Sequence, residues 1–354
     1  MAALWKRLNL MLAGTTPARR FQEEADVGVA AVLMCFRGLK LENESSDTGD
    51  LFNEAVAIIE KKKFDKQKEY VQEQTTAQVG RNLSEWEQFM RETWMRTMNW
   101  CGVKVRSMFD ALLNQPDDPT QHRSSMSLSG FDRLGDVKDQ HLQASLEESL
   151  GFSLHVEPSS VENAGEGVHL DGKAGIGSVV ALFPGTVYLP EHFKKTKYLK
   201  EISDNPYARA RFDSVIIDAK NERTLMFASK YSPLDDLTHA FTASTPRNPF
   251  AVAHKINHPP SATPPNVIPF SFDFPPEEPF TTEAFQALIP NTFVEQPSRW
   301  AMYGKRALVH GLAFIATADI EDQELFLNYR YNPNRQLPEW YTPVDIDSDR
   351  EMWK

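Results

Sequence analysis

Four short segments in the second half of the chain carry residue types that chemistry needs. Gly165-Glu166-Gly167 is a G-x-G turn, and glycine lets a ligand come close to the backbone because no Cβ intervenes. Phe183-Pro184-Gly185-Thr186-Val187-Tyr188 is a turn between aromatic residues. Asn257-His258, with Pro265-Asn266 downstream, supplies amide and imidazole hydrogen-bonding groups. Glu324-Leu325-Phe326-Leu327-Asn328-Tyr329 ends on a phenol. Each segment alone is weak. The G-x-G lacks the third glycine of a dinucleotide-binding fingerprint. His254 and His258 have the spacing of a zinc pair, but no Glu follows His254 and Pro259 abuts His258. A buried, hydrogen-bonded histidine is therefore expected there, and no metal site.

The elements that must position these residues change character near Gly151. Before it, Asp26–Phe36, Leu51–Gln72 and Asn82–Leu113 read as helices. Ser84 and Glu87 form a capping box for the last of these. Its stripe of Trp86, Phe89, Met90, Thr93, Met98 and Cys101 is expected to face a helical-bundle core rather than a partner helix. Residues 114–130 have linker composition, with Pro116, Pro119 and several serines. A helix over Asp136–Leu150 follows, stopped by Gly151. After it come short β-type runs at Ser153–Val156, Val168–Leu170, Ser178–Phe183, Ser214–Ile217, Thr224–Ala228, Asn266–Phe272, Arg306–Ala318 and Glu324–Tyr329. Ten prolines fall between Ile256 and Trp300. That density predicts ordered irregular chain, with one helix over Thr282–Leu288.

In this order and at this spacing, the four segments resemble the SET domain of protein-lysine methyltransferases. That family opens with G-x-G, runs a strand into a glycine turn, carries N-H…P-N and closes with E-L-x-x-D-Y. The resemblance covers about residues 148–333. It implies an α+β fold: a mainly β, β-clip-like SET domain with a knotted carboxy-terminal segment, preceded by an α-helical amino-terminal region. It implies S-adenosyl-L-methionine as cofactor, held by Glu166, Gly167, Asn257, His258 and Tyr329. It implies methyl transfer to a lysine of a protein substrate, with Tyr329 catalytic beside the transferring methyl. Tyr188, Tyr303, Tyr331, Trp340 and Tyr341 are available with Tyr329 to wall a lysine tunnel.

The chain departs from the family in three ways. Asn328 stands where the family has Asp, the interval between Asn257 and Asn266 is long, and Phe183 replaces a common Tyr. Asn328 and the irregular central segment motivate a second reading, a SET-fold protein-interaction module of weak or no catalysis. The expected organisation is a helical region over 1–113, a linker and lead-in helix over 114–147, the SET domain over 148–333 and a tail over 334–354. The tail, carrying Trp340 and Tyr341, is the candidate to close the tunnel, because no cysteine-rich module follows.

Composition sets the bounds. The 354 residues are 41% hydrophobic and 25% charged, which suits a folded chain. A net charge of −11 argues against direct nucleic-acid binding and favours a basic protein partner. Two cysteines, Cys35 and Cys101, exclude a disulfide framework and a four-thiolate zinc site. The longest apolar run, Val27–Phe36, is too short to span a bilayer. Cytoplasm or nucleus is the expected location. Lys6, Arg7, Arg19 and Arg20, with no acid before Glu23, add a mitochondrial-targeting alternative.

Overall fold

The computed structural model describes residues 82–114, 131–202, 205–211, 213–220, 248–295 and 307–353. The helices expected before residue 82, the basic amino-terminal segment, the 224–228 run and Tyr303 lie outside the described residues. So do the side chains of Ser84, Trp86, Glu87, Phe89, Met90 and Thr93.

Two helices lead in, α1 (Asn82–Leu113) and α2 (Phe131–Leu150). Strands β1 (Phe152–Pro158), β2 (Glu166–Ala174), β3 (Val179–Leu182) and β4 (Gly185–Tyr188) follow, then helix α3 (Thr196–Ile202) and strands β5 (Ala208–Ala210) and β6 (Ile216–Asp218). The chain continues through β7 (Val267–Phe274), helix α4 (Glu283–Leu288), β8 (Asn291–Phe293), β9 (Val309–Ala316), β10 (Ile320–Glu324) and helix α5 (Ile346–Met352). Among the described residues the strands form three sheets, ordered β1-β2-β10, β3-β9-β7 and β5-β6-β4-β8. Every ladder is antiparallel except β4 with β8. The fold is α+β with mostly antiparallel sheets, and among the described residues no helix is long and apolar enough to cross a membrane.

The buried stripe of α1 is Thr97, Cys101, Val105 and Met108, spaced for one helical face. It meets helices α2 and α4 together with strands β3 and β7, not a helical bundle alone. Phe109 stacks on Phe274 at 6.3 Å and meets Phe280 and Phe285 at 6.0 and 5.6 Å. An apolar stripe has the same spacing whether its partner is helix or sheet, so the period could not tell them apart. One hydrophobic core thus runs from Cys101 and Phe109 through the strands. α2 ends at Gly151, whose φ of +89° and N–H bond to the Glu147 carbonyl (2.9 Å) cap the helix.

Strand β9 is buried at every position and lies at the centre of its sheet. Its neighbour β7 contains Pro269, opposite Phe314. β7 is an edge strand, where a missing N–H is tolerated. Helix α4 falls where Thr282–Leu288 predicts it. β4, β5 and β8 have only three or four residues each, too few for a pattern to show. The Glu324–Tyr329 run is not a strand. β10 ends at Glu324, and Phe326 and Leu327 then make single parallel bridges to Asn257 and Val267. The segment runs between Asn257 on one side and Val267 on the other, held by single bridges rather than a ladder.

Candidate functional site

Glu324 lies at the centre of the site. It closes β10 opposite His169 of β2 and is 4% exposed. Its carboxylate accepts from Ser159 Oγ at 2.6 Å, from the Ser160 N–H at 2.8 Å and from the Ser160 hydroxyl. Asn257 Nδ2 reaches it at 3.4 Å. Burial opposes ionisation, but these donors outweigh it and hold the carboxyl below its usual range.

Gly167 owes its identity to the same carboxylate. A Cβ there would stand 2.1 Å from Glu324 Oε1. The space that the G-x-G motif reserves at Gly167 is therefore filled by the protein itself. Gly165, at φ +77°, has nothing within 4 Å of the corresponding position. Open backbone lies at Gly165, two residues before the Gly167 that the resemblance implies.

Asn257 ties the G-x-G turn to the closing segment. Its Nδ2 donates to the Glu166 carbonyl at 2.9 Å, and its own carbonyl accepts from the Leu327 N–H at 2.9 Å. The Glu166 carboxylate is exposed and pairs with Lys255 Nζ at 2.7 Å. Asn266 clamps the other side. Its Nδ2 donates to the Glu324 carbonyl at 2.9 Å and its Oδ1 accepts from the Phe326 N–H at 2.7 Å. The amide thus stands in for a strand neighbour where no strand runs.

His258 is 5% exposed. Its Nδ1 accepts from the Tyr329 N–H at 3.3 Å, and its Nε2 lies 2.8 Å from the Thr342 carbonyl. Those partners assign the neutral Nε2–H tautomer. Burial pushes the imidazole below its ordinary value, against the opposing pull of the Thr342 carbonyl.

Tyr329 donates its hydroxyl to the Ile256 carbonyl at 2.9 Å. Burial raises this phenol, and the nearby Arg209 charge opposes that rise. Around the ring stand Tyr331 at 5.8 Å, Trp340 at 6.3 Å and His258 at 5.5 Å. Tyr341 closes the cluster, 4.3 Å from His258 and 4.7 Å from Tyr331. The tail is fixed over the site by the Tyr331 N–H donating to the Tyr341 hydroxyl and by Trp353 Nε1 donating to the Arg330 carbonyl. Trp340 remains 60% exposed, so the cluster opens to solvent on that side.

Glu166, Gly167, Asn257, His258 and Tyr329 are thus joined in one corner. Tyr188 is not among them. It packs on Tyr198 in a separate cluster and donates to Glu201. Asn328 Oδ1 accepts from the Arg330 N–H at 3.0 Å, a turn-forming contact that any side chain with the same oxygen can make. Glu324 and Asn266 were visible as motif letters but not as the residues that organise the site. Ser159, Ser160, Lys255 and Arg209 gave no sequence signal, because each meets the site only through contacts between segments far apart in the chain. Comparison with models of known protein families and with curated protein sequences finds no match.

Proposed function

We propose that the protein transfers a methyl group from S-adenosylmethionine to a lysine side chain of a protein substrate. In this reading the β-rich part is a SET domain, and the passage of Phe326 and Leu327 between Asn257 and Val267 would be its knot-like feature. One observation carries it. Three of the four segments, far apart in sequence, interlock through Asn257 to Glu166 and Glu324, Asn266 to Glu324, and Tyr329 to His258. Motif letters that merely coincided would have no reason to converge.

The corner suits the cofactor. An open backbone position at Gly165 adjoins the exposed Lys255–Glu166 pair, whose opposite charges match a zwitterionic amino-acid end. Glu166, Lys255 and the Asn257 segment would hold that end, with Tyr329 toward the reacting centre. When bound, the cofactor supplies a sulfonium methyl, an electrophilic carbon with a neutral sulfide as leaving group. The entering ammonium would first give its proton to solvent; the neutral nitrogen would then form the new N–C bond as the C–S bond breaks, and the product would leave as the charged methylammonium. Lysine in water is mostly ammonium, with a pKa of about 10.4. The aromatic walls of Tyr329, Tyr331, Trp340 and Tyr341 desolvate it and fix its line of approach. Tyr329 anchors the corner through Ile256 and its ring borders that path.

Calorimetry on the full chain with S-adenosylmethionine is the first test, since α1 shares the core. Single-turnover transfer to a substrate found by labelled-cofactor screening is the second. Tyr329→Phe should fold and bind cofactor nearly as wild type, while the transfer rate falls by about 10²–10³, the scale of a preorganised hydroxyl. An unchanged rate would remove Tyr329 from catalysis. The competing reading, a SET-fold interaction module, draws on Asn257 and His258, whose side chains already serve the protein's own hydrogen bonds. Absence of cofactor binding in the calorimeter would favour it.

A further inference from the structure

The tail that covers the aromatic cluster buries a carboxylate. Asp349 lies midway along α5 and is 2% exposed. Acidic side chains are rarely so deep unless paired. Its Oδ2 has no hydrogen-bond partner among the described residues. The backbone around it is secure. The Asp349 N–H donates to the Asp345 carbonyl at 3.0 Å, and the Asp349 carbonyl accepts from the Trp353 N–H at 3.1 Å. Trp353 in turn donates its Nε1 to the carbonyl of Arg330, the residue after Tyr329. The side chain that resists burial thus sits on the helix that anchors the tail over the site. We propose that α5 is a proton-operated latch: with Asp349 protonated it holds Trp340 and Tyr341 over the aromatic cluster, and with Asp349 ionised it lets them lift. The consequence for an entering lysine rests on the lysine-transfer reading above, whereas the latch itself does not.

The groups that face Asp349 decide the sign. Burial pushes its carboxyl from an ordinary 3.8 up to about 6. Arg330, from the segment after Tyr329, pulls the other way without overcoming burial, and it makes other contacts as well. Asp345, just before α5, adds to the rise. Tyr341 faces Asp349 from the preceding loop, and its phenol is held above its usual range first by burial and in part by Asp349. Beyond Tyr341 stand Tyr331, also a phenol raised chiefly by burial, and the neutral imidazole of His258. Asp347 and Arg350 pair with each other at 3.2 Å on the exposed side of α5. A carboxyl whose docked value exceeds its detached value favours docking in its protonated form. The tail is therefore held tightest below about pH 3.8, loosens as the pH climbs, and is loosest above about 6.

The test follows the tail itself. Hydrogen exchange of the full chain is measured by mass spectrometry on peptides covering 337–353, from pH 5 to pH 8, and corrected at each pH for the intrinsic exchange rate. In wild type the opening constant of the tail should rise about tenfold over that range, the change that values of 3.8 and about 6 produce, and level off above pH 7. Peptides from β9 should show no such rise. Asp349→Asn and Asp349→Leu remove the titration, so both should be flat with pH and better protected than wild type at pH 8. A flat wild type, or variants that keep the wild-type slope, would end the proposal. So would loss of tail protection at every pH in both variants, since the carboxylate rather than the acid would then be holding α5. No cofactor enters this measurement, so its outcome is separate from that of the calorimetry with S-adenosylmethionine.

Discussion

Two buried clusters hold charge in different ways. Arg211, 1% exposed, meets Asp213 at 3.0 Å and Asp273 at 2.9 Å, and donates to the carbonyls of Phe272 and Gly311. Asp273 in turn meets His310 Nδ1 at 2.7 Å. Charge is answered by charge. Glu324 is answered by hydroxyls, an amide and an N–H, and the nearest ring nitrogen, His169 Nε2, stands 3.8 Å away. Its negative charge is solvated by dipoles but not cancelled. The first arrangement suits a fastener between β7 and β9. The second leaves a net anion beneath the corner where a cationic cofactor is proposed to sit. Burial alone therefore does not separate scaffold from site, but the kind of partner does.

Breaking the fastener should have the largest effect. Arg211→Met strands Asp273 and two carbonyls, and should lower unfolding free energy by about 3–5 kcal/mol in urea titrations. A loss below about 1 kcal/mol would show that the two clusters are energetically alike. Gly167→Ala comes next. The new Cβ displaces the Glu324 carboxylate from its donors, at a cost of about 1–3 kcal/mol by the same titration.

Glu324→Gln keeps the shape and removes the charge, so about 1 kcal/mol is expected at neutral pH. Its pH dependence sharpens the contrast. The folded carboxyl is held below its unfolded value, so its stabilisation is fully present above about pH 4.3 and is lost as pH falls through the folded value. The melting-temperature gap between wild type and Glu324→Gln should be widest near neutrality and close in acid. A gap that widened on acidification would reverse the assigned sign. Asn328→Asp should be the mildest, within about 0.5 kcal/mol, because either residue offers the oxygen that Arg330 N–H needs. A large drop in its thermal melt would mean that the site requires a neutral group there.

Much of this was legible in sequence because it is local. α1 spans the residues its apolar period marks, Gly151 caps α2, and the Thr282–Leu288 helix survives among prolines. The motif letters also marked the right corner. What they could not give was direction. Nothing in Gly165-Glu166-Gly167 says that Gly167 faces a carboxylate more than 150 residues away while Gly165 faces open space. The Glu324–Tyr329 run has the composition of a strand, yet it is held by the side chain of Asn266 and single bridges. Arg209 is one polar letter in a three-residue strand, and nothing local to it shows its contact with the Tyr329 ring.

The ring of Phe109 sits among Phe274, Phe280 and Phe285 like a key left in its lock. Neither part of the chain can cover that aromatic face alone, so the β-rich part expressed without α1 would present sticky surface and aggregate. Supplied together as separate polypeptides, residues 1–114 and 131–354 should find each other and reconstitute. Split-protein complementation would then be a way to switch the molecule on by mixing.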